Sequence, residues 1–156
     1  MIIVAGHWEL SWNAPIKEVE LWNFALRDFG VSEWYMWPVS GIQNNEYRHV
    51  NLYERKEMPE ILKENKHVPH VYVEPYNPAF PKYVPLNLRD FEHPTDVMYI
   101  FGSAHYNPVS YNTMREQDFM VAIPTQRNNG VLWPHQCFVT IMYDRMLKDD
   151  NRHNGS

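Results

Sequence analysis

One apolar run that ends abruptly at a glycine constrains the fold of this chain more than any other feature. Residues 97 to 101 read VMYIF, and Gly102 and Ser103 follow at once. An apolar run without alternation is typical of a strand buried on both faces of a parallel sheet. Open parallel sheets bind ligands where their strands end, so Phe101, Gly102 and Ser103 are candidate ligand contacts.

Other stretches of the chain read as partners of this strand. Strands are predicted over residues 2–7, 31–39, 70–75 and 119–124, with a short one at 48–53. Helices are predicted over 16–29, 56–65 and 134–147, and a short one is considered around 86–91. The first helix has Pro15 at its start, an apolar stripe, and Gly30 at its end. Alternation of strands and helices predicts an α/β fold with a parallel sheet of five or six strands.

Length and cysteine content bound the domain and its compartment. The 156 residues fit one domain, which we expect over residues 1–148, followed by a flexible tail at 149–156. Cys137 is the only cysteine, so the chain forms no internal disulfide, and a cytoplasmic location is expected. No stretch approaches the about 18 apolar residues of a membrane span, so no membrane partner is expected.

Charge and short motifs exclude several classes of function. The net charge of −5 disfavours binding of nucleic acid by charge alone, although the 15% aromatic content could stack on bases or fill a core. The phosphate-binding patterns GxGxxG and GxxxxGK[ST] are absent, and so is the GxSxG elbow. His67 and His70 have a metal-ligand spacing, but Pro69 between them disfavours a helix, and no metal site is expected.

The succession of strand ends resembles a known family. The stretches DVMYIFGSAHYNPVS, DFMVAIPTQRNNGVLW and PHQCFVTIMYDRML resemble the later motifs of the SPOUT superfamily of RNA methyltransferases, in its SpoU-like branch. Phe101 and Gly102 match the second motif of that branch, and Ile123, Pro124 and Leu132 match the third. Upstream, a helix that ends in Phe-Gly before a strand, at residues 29–31, fits the first.

This resemblance implies a particular fold and cofactor. The family's sheet carries a deep C-terminal trefoil knot, in which residues 119–147 would pass through the loop formed by about 75–118. The resemblance implies that loops of the knot bind S-adenosylmethionine (AdoMet), that the substrate is RNA, and that the closing helix forms a homodimer. The residues expected at the cofactor are Val73, Glu74, Pro75, Phe101, Gly102, Ser103, Ile123, Pro124, Gly130, Val131 and Leu132.

The closing helix also suggests a dimer by its composition. It carries apolar residues that a small sheet protein has limited core to absorb. The residues expected at the dimer interface are Phe138, Ile141, Met142 and Met146.

The reactive positions of the family are replaced in this chain. Alignment on Gly30 puts Glu18 where the family has asparagine and Phe24 where it has arginine. Arg27, one helical turn beyond Phe24, is the candidate substitute for that arginine, and His105 in the predicted knot is a candidate base. The remaining changes are Ala104 for a glutamate, Asn107 for a glycine, and Val131, Leu132 and Trp133 for Ser-Leu-Asn.

Three functions follow from these observations. The first is an AdoMet-dependent RNA methyltransferase, acting on a ribose 2'-hydroxyl of tRNA or rRNA. The second is a catalytically degenerate knotted protein that binds AdoMet or RNA without transferring a methyl group. The third is an α/β enzyme that acts on another small nucleotide-like ligand. Methyl transfer to RNA separates the first two, and failure to bind AdoMet favours the third.

Overall fold

The computed structural model describes residues 1–8, 14–37, 54–102, 114–126 and 132–155. Its strands and helices follow in chain order: β1 (Ile2–His7), α1 (Pro15–Asp28), β2 (Glu33–Trp37), β3 (Glu54–Arg55), α2 (Met58–Glu64), β4 (His70–Val73), β5 (Leu86–Asn87), β6 (Val97–Phe101), β7 (Phe119–Ala122) and α3 (Pro134–Asn154).

All the described strands join one sheet, in the order β3-β2-β1-β6-β4-β7-β5, and every neighbouring pair is parallel. The predicted α/β class with a parallel sheet is therefore confirmed. The sheet has seven strands among these residues, more than predicted, because the two-residue strands β3 and β5 add to it. Residues 86–91, where a short helix was considered, form β5 and a single 3-10 turn, Leu88–Asp90.

Side chains of the strands alternate between two apolar layers. In β1, Val4 belongs to the layer that packs under α1 and α3, whereas Ile3 and Ala5 belong to the layer that packs under α2. This alternation follows from the two-residue period of a strand. Because the sheet is covered on both faces, its central strands are apolar throughout, which is the pattern that identified them in the sequence.

A glycine in β1 lets α1 approach the sheet. A Cβ atom added at Gly6 would lie 2.7 Å from Nε1 of Trp34 and 3.2 Å from the ring of Trp22. Only a residue without a side chain fits at this distance. Gly30, which has φ +66°, ends the turn after α1 and permits the chain to enter β2.

The closing helix is longer than predicted. It continues past Leu147 to Asn154, so most of the stretch expected to be a flexible tail is helical. Charged residues one turn apart support this extension: Nζ of Lys148 lies 2.7 Å from Oδ2 of Asp144, and Asp149 pairs with Arg145 and Arg152. The polar residues after Leu147, which suggested a tail, belong to an exposed helix that ion pairs stabilise.

A buried polar network fixes the middle of α3 to the segment that precedes β6. The ring of His93 bridges two groups, with Nδ1 2.7 Å from the hydroxyl of Tyr99 and Nε2 2.8 Å from Oδ2 of Asp144. Arg145 donates to the same hydroxyl and to the carbonyl of Pro94. These contacts hold the middle of α3 in place.

The short strand predicted at 48–53 lies outside the described residues, and the predicted knot lies partly outside them. The knot depends on the paths of residues 103–113 and 127–131, so it stays a prediction. In the described part of the chain, no helix has both the length and the apolar character required to cross a membrane.

Candidate functional site

The register of the sheet brings three strand ends to one level. Val73, the last residue of β4, lies opposite Phe101 of β6 on one side and Val121 of β7 on the other. Glu74 and Gly102 therefore leave the sheet side by side. The amide of Glu74 also donates a hydrogen bond to the carbonyl of Val121 at 3.0 Å, which extends the ladder by one residue.

Glu74 is the chemically distinctive group at this edge. Burial raises the pKa of its carboxyl to about 8, so the acid is mostly protonated at neutral pH. Among the described residues, no lysine or arginine forms an ion pair with it. A buried acid without a cation can ionise when a positively charged ligand arrives.

The first turn of α3 lies close to this acid. Burial raises the pKa of the Cys137 thiol to about 12, and the nearby Glu74 carboxyl adds to the rise. The same thiol contacts the carbonyl of Leu132, with Sγ 3.8 Å from the oxygen. Leu132, which was predicted at the cofactor from the third motif, is thereby placed near the end of β4.

The predicted cofactor residues divide into three groups by position. Val73 and Phe101 are buried at the ends of β4 and β6, beneath the residues that leave the sheet. Around them lie half-buried and exposed members, namely Glu74, Pro75, Gly102, Ile123, Pro124 and Leu132. Ser103, Gly130 and Val131 lie outside the described residues, and so does the candidate base His105.

Arg27 is placed away from the strand ends of its own chain. It is exposed in the last turn of α1, whereas Glu18 lies in the first turn. Nine residues of helix separate the two by about 13 Å along the axis. Since α1 begins where β1 ends, its last turn lies toward the opposite edge of the sheet. One chain alone does not bring Arg27 to Glu74 and Gly102.

Three rings connect both long helices to the end of β6. Trp22 of α1 packs against Phe101 at a centroid distance of 5.8 Å and against Phe138 of α3 at 5.4 Å. Phe101 and Phe138 complete this aromatic triangle (Trp22, Phe101 and Phe138) at 5.9 Å. The triangle fixes α1 and α3 directly beside the residue that precedes Gly102.

An ion pair between the two helices was missed by the sequence reasoning. Nδ1 of His135 lies 2.7 Å from Oε2 of Glu18, and each side chain is only 16% exposed. The two atoms lie within ion-pair distance, but the contact lacks the geometry of an ordinary hydrogen bond. In the sequence, Glu18 was noted only at the position of a family asparagine. His135 lies two residues into α3 and gave no signal of its own.

In the described ranges, no group of three or more His, Cys, Asp and Glu side chains could hold a metal ion. His70 instead serves the structure. Its Nε2 lies 2.9 Å from the carbonyl of Asn65, and its amide donates to Asp118.

Comparison with known proteins gives a structural match without a sequence match. No family model matches the chain. No curated protein matches it either. Solved structures do match. A candidate RNA methyltransferase from Bacillus anthracis superposes with a TM-score of 0.64 at 12% identity, over 96% of this chain and 93% of that one.

Two further structures extend this match. The SpoU methyltransferase AviRb from Streptomyces viridochromogenes, in complex with AdoMet, superposes with a TM-score of 0.64 at 8% identity, over 96% of this chain and 60% of that one. An RNA 2'-O ribose methyltransferase superposes with a TM-score of 0.66 at 15% identity, over 96% of this chain and 56% of that one.

The chain has the SpoU-type fold. The match covers nearly the whole chain, which agrees with the resemblance read from the motifs at residues 29–31, 101–102 and 123–132. At these identities the similarity establishes the fold. This chain spans little more than half the length of the AviRb and 2'-O ribose enzymes, so those longer chains have parts that the match does not cover.

The residues of the closing helix that were expected at a dimer interface need correction. Phe138, Ile141 and Met142 were expected at a dimer interface, but they are buried within their own chain against the sheet. Only Met146 of that set is exposed. The helix has two apolar faces, and the spacing of its residues alone did not show which face the sheet covers.

Proposed function

We propose that this protein transfers a methyl group from AdoMet to RNA, at a ribose 2'-hydroxyl of tRNA or rRNA. The observation that carries the proposal is the convergence of the β4, β6 and β7 ends, in the register given above, within a SpoU-type fold. A structural neighbour with this fold is bound to AdoMet, and another is an RNA 2'-O ribose methyltransferase.

The residues at this edge suit AdoMet. The cofactor would lie against the backbone at Val73, Gly102 and Ile123, and its sulfonium supplies a methyl group to a nucleophile. Gly102 would let the backbone approach the ligand closely because it has no side chain. The protonated acid of Glu74, which has no cationic partner among the described residues, would ionise beside the cationic ligand, so that burial of the positive charge is compensated.

Transfer to a hydroxyl needs positioning more than covalent chemistry. The protein has to hold the acceptor oxygen in line with the methyl group and remove a proton as the new bond forms. An exposed guanidinium such as Arg27 would serve this by binding RNA phosphate. Since Arg27 lies away from the strand ends of its own chain, this role would apply to RNA bound across a dimer.

A homodimer through α3 is part of the proposal. The outer face of α3 exposes four large apolar side chains, Val139, Tyr143, Met146 and Leu147, each between 40% and 52% exposed. They recur at helical spacing and form an apolar stripe, which is exposed to water in a single chain. A second copy of the chain would cover this stripe symmetrically. The cytoplasm stays the proposed compartment, on the basis of the single cysteine.

A second candidate function is binding without catalysis. The observation that favours it is the replacement of the family's reactive positions, together with the distance of Arg27 from the strand ends. Such a protein would keep the AdoMet-binding edge or an RNA surface, and it would transfer nothing.

Methyl transfer can be measured directly. The protein is incubated with tritiated AdoMet and total tRNA or rRNA, and the RNA is digested to nucleosides that are separated by chromatography. We expect label in 2'-O-methylnucleosides. Label in base-methylated nucleosides would contradict the ribose assignment. Binding of AdoMet without any transfer would favour the second candidate.

A further inference from the structure

The Glu18–His135 ion pair has the arrangement of a carboxylate that orients a base. Nδ1 of His135 faces Oε2 of Glu18 at 2.7 Å, and neither atom is in contact with solvent. In the neutral form of the ring, a carboxylate this close to Nδ1 favours the tautomer that carries its proton on Nδ1. Nε2 then bears the free lone pair. The His135 side chain keeps 16% of its surface exposed, which leaves part of it accessible.

The pair lies at the edge where the cofactor is proposed to bind. Glu18 precedes Trp22 by one helical turn, and His135 precedes Phe138 by almost one turn, each toward the amino end of its helix. One turn is about 5 Å along the axis. Glu18 and His135 therefore cover the aromatic triangle on the side that faces the carboxyl ends of the strands.

The same position is adjacent to both proposed cofactor loops. The triangle includes Phe101, so the pair lies above the residue from which the Gly102 loop departs. His135 also lies in the same helical turn as Cys137, which is close to Glu74. A group placed here lies near the strand ends at which AdoMet is proposed to bind, and not at the far edge of the sheet.

The two helices do not depend on this pair to stay together. Apolar packing of Trp22, Phe138 and Phe101 already joins α1 to α3. A neutral imidazole at the edge of a ligand site is suited to accept a proton.

We propose that His135 is the base that accepts the proton of the RNA hydroxyl, and that Glu18 is the residue that positions it. This inference rests on the proposed function. The hydroxyl oxygen bonds to the methyl carbon, and the carbon–sulfur bond breaks with its electron pair left on sulfur. The hydroxyl proton moves to Nε2 of His135, which later returns it to water.

The test compares three variants in the transfer assay and in AdoMet calorimetry. His135→Gln should bind AdoMet like the parent and transfer methyl groups about 10²- to 10⁴-fold more slowly, as loss of a general base predicts. Glu18→Gln should lower the transfer rate by a smaller factor, since the ring remains. His153→Gln changes an exposed histidine at the far end of the same helix and should leave both properties unchanged.

Chemical rescue separates a base from a structural contact. Added imidazole should restore part of the transfer rate of His135→Ala, because a free ring can occupy the vacated space and accept the proton. A parent-like rate for His135→Gln overturns the proposal. A slow His135→Ala variant that imidazole does not rescue also overturns it and assigns a structural role. Failure of the parent to bind AdoMet would refute the proposed function itself, which is a different result.

Discussion

The amide of Glu74 donates a hydrogen bond to the carbonyl of Val121 at 3.0 Å, which holds a protonated acid at the edge where three parallel strands end. Burial raises the pKa of Glu74 to about 8. A sulfonium nearby would favour the ionised carboxylate and lower this pKa. We therefore expect AdoMet binding to release a proton below pH 8 and to tighten as the pH rises toward 8. Calorimetry in buffers of different ionisation enthalpy measures both effects.

The demethylated product provides the control for this prediction. S-adenosylhomocysteine has no sulfonium charge, so its affinity should change little over the same pH range. Glu74→Gln should remove the pH dependence for AdoMet because the amide does not ionise. Equal pH dependence for AdoMet and its product would show that Glu74 does not face the sulfonium.

Replacement of Gly6 by alanine should destabilise the fold. The new Cβ would meet Nε1 of Trp34 at 2.7 Å and the ring of Trp22 at 3.2 Å, and both rings are held by their own packing. We expect the free energy of unfolding to fall by about 1 to 3 kcal/mol, as overpacking of a core usually costs. Urea titration followed by tryptophan fluorescence measures this change. An unchanged midpoint would mean that α1 can move away from β1 at no cost.

The His93 network predicts a loss of stability in acid. Burial lowers the pKa of His93, while its contact with Asp144 opposes the shift. A folded-state pKa below that of the unfolded chain means that the unfolded state binds protons first, so stability falls as pH drops below about 6.5. His93→Gln should reduce this slope, measured by urea unfolding at several pH values. A remaining slope is expected from His70, whose pKa burial also lowers.

The apolar stripe on α3 predicts the oligomeric state. Tyr143 is 52% exposed on that stripe, and Tyr143→Glu should convert a dimer into a monomer by placing a charge in the interface. Tyr76→Glu is the matched control, since Tyr76 is 50% exposed but lies outside α3. Light scattering coupled to size exclusion gives the mass of each variant. A monomeric parent, or a dimeric Tyr143→Glu variant, would reject α3 as the interface.

The sheet could be predicted from the sequence because its central strands are buried on both faces. Residues 2–7, 97–101 and 119–122 are short apolar runs, and such runs can be recognised as strands without knowing which strands they pair with. β6 ends at Phe101 as predicted, whereas β4 and β7 end at Val73 and Ala122, two residues before their predicted ends, so the edge that carries the candidate site was predicted to within two residues.

Features that depend on how elements pack could not be predicted in the same way. The pairing of Glu18 with His135 requires α1 and α3 to lie side by side, which no local pattern specifies. The residues expected at a dimer interface were chosen on the face of α3 that the sheet covers, because Phe138 and Tyr143 are both large aromatic residues and the sequence does not show which of them is buried. The end of α3 was placed too early since its last turns are stabilised by ion pairs and not by burial.

Calorimetric titration of the protein with AdoMet tests the central claim most directly. The account predicts saturable binding to the parent, and loss of that binding in Gly102→Val, because a β-branched side chain would obstruct the approach of the ligand to the backbone. Circular dichroism should show that the variant remains folded. A parent that does not bind AdoMet, or a folded Gly102→Val variant that binds it as tightly as the parent, would contradict the account.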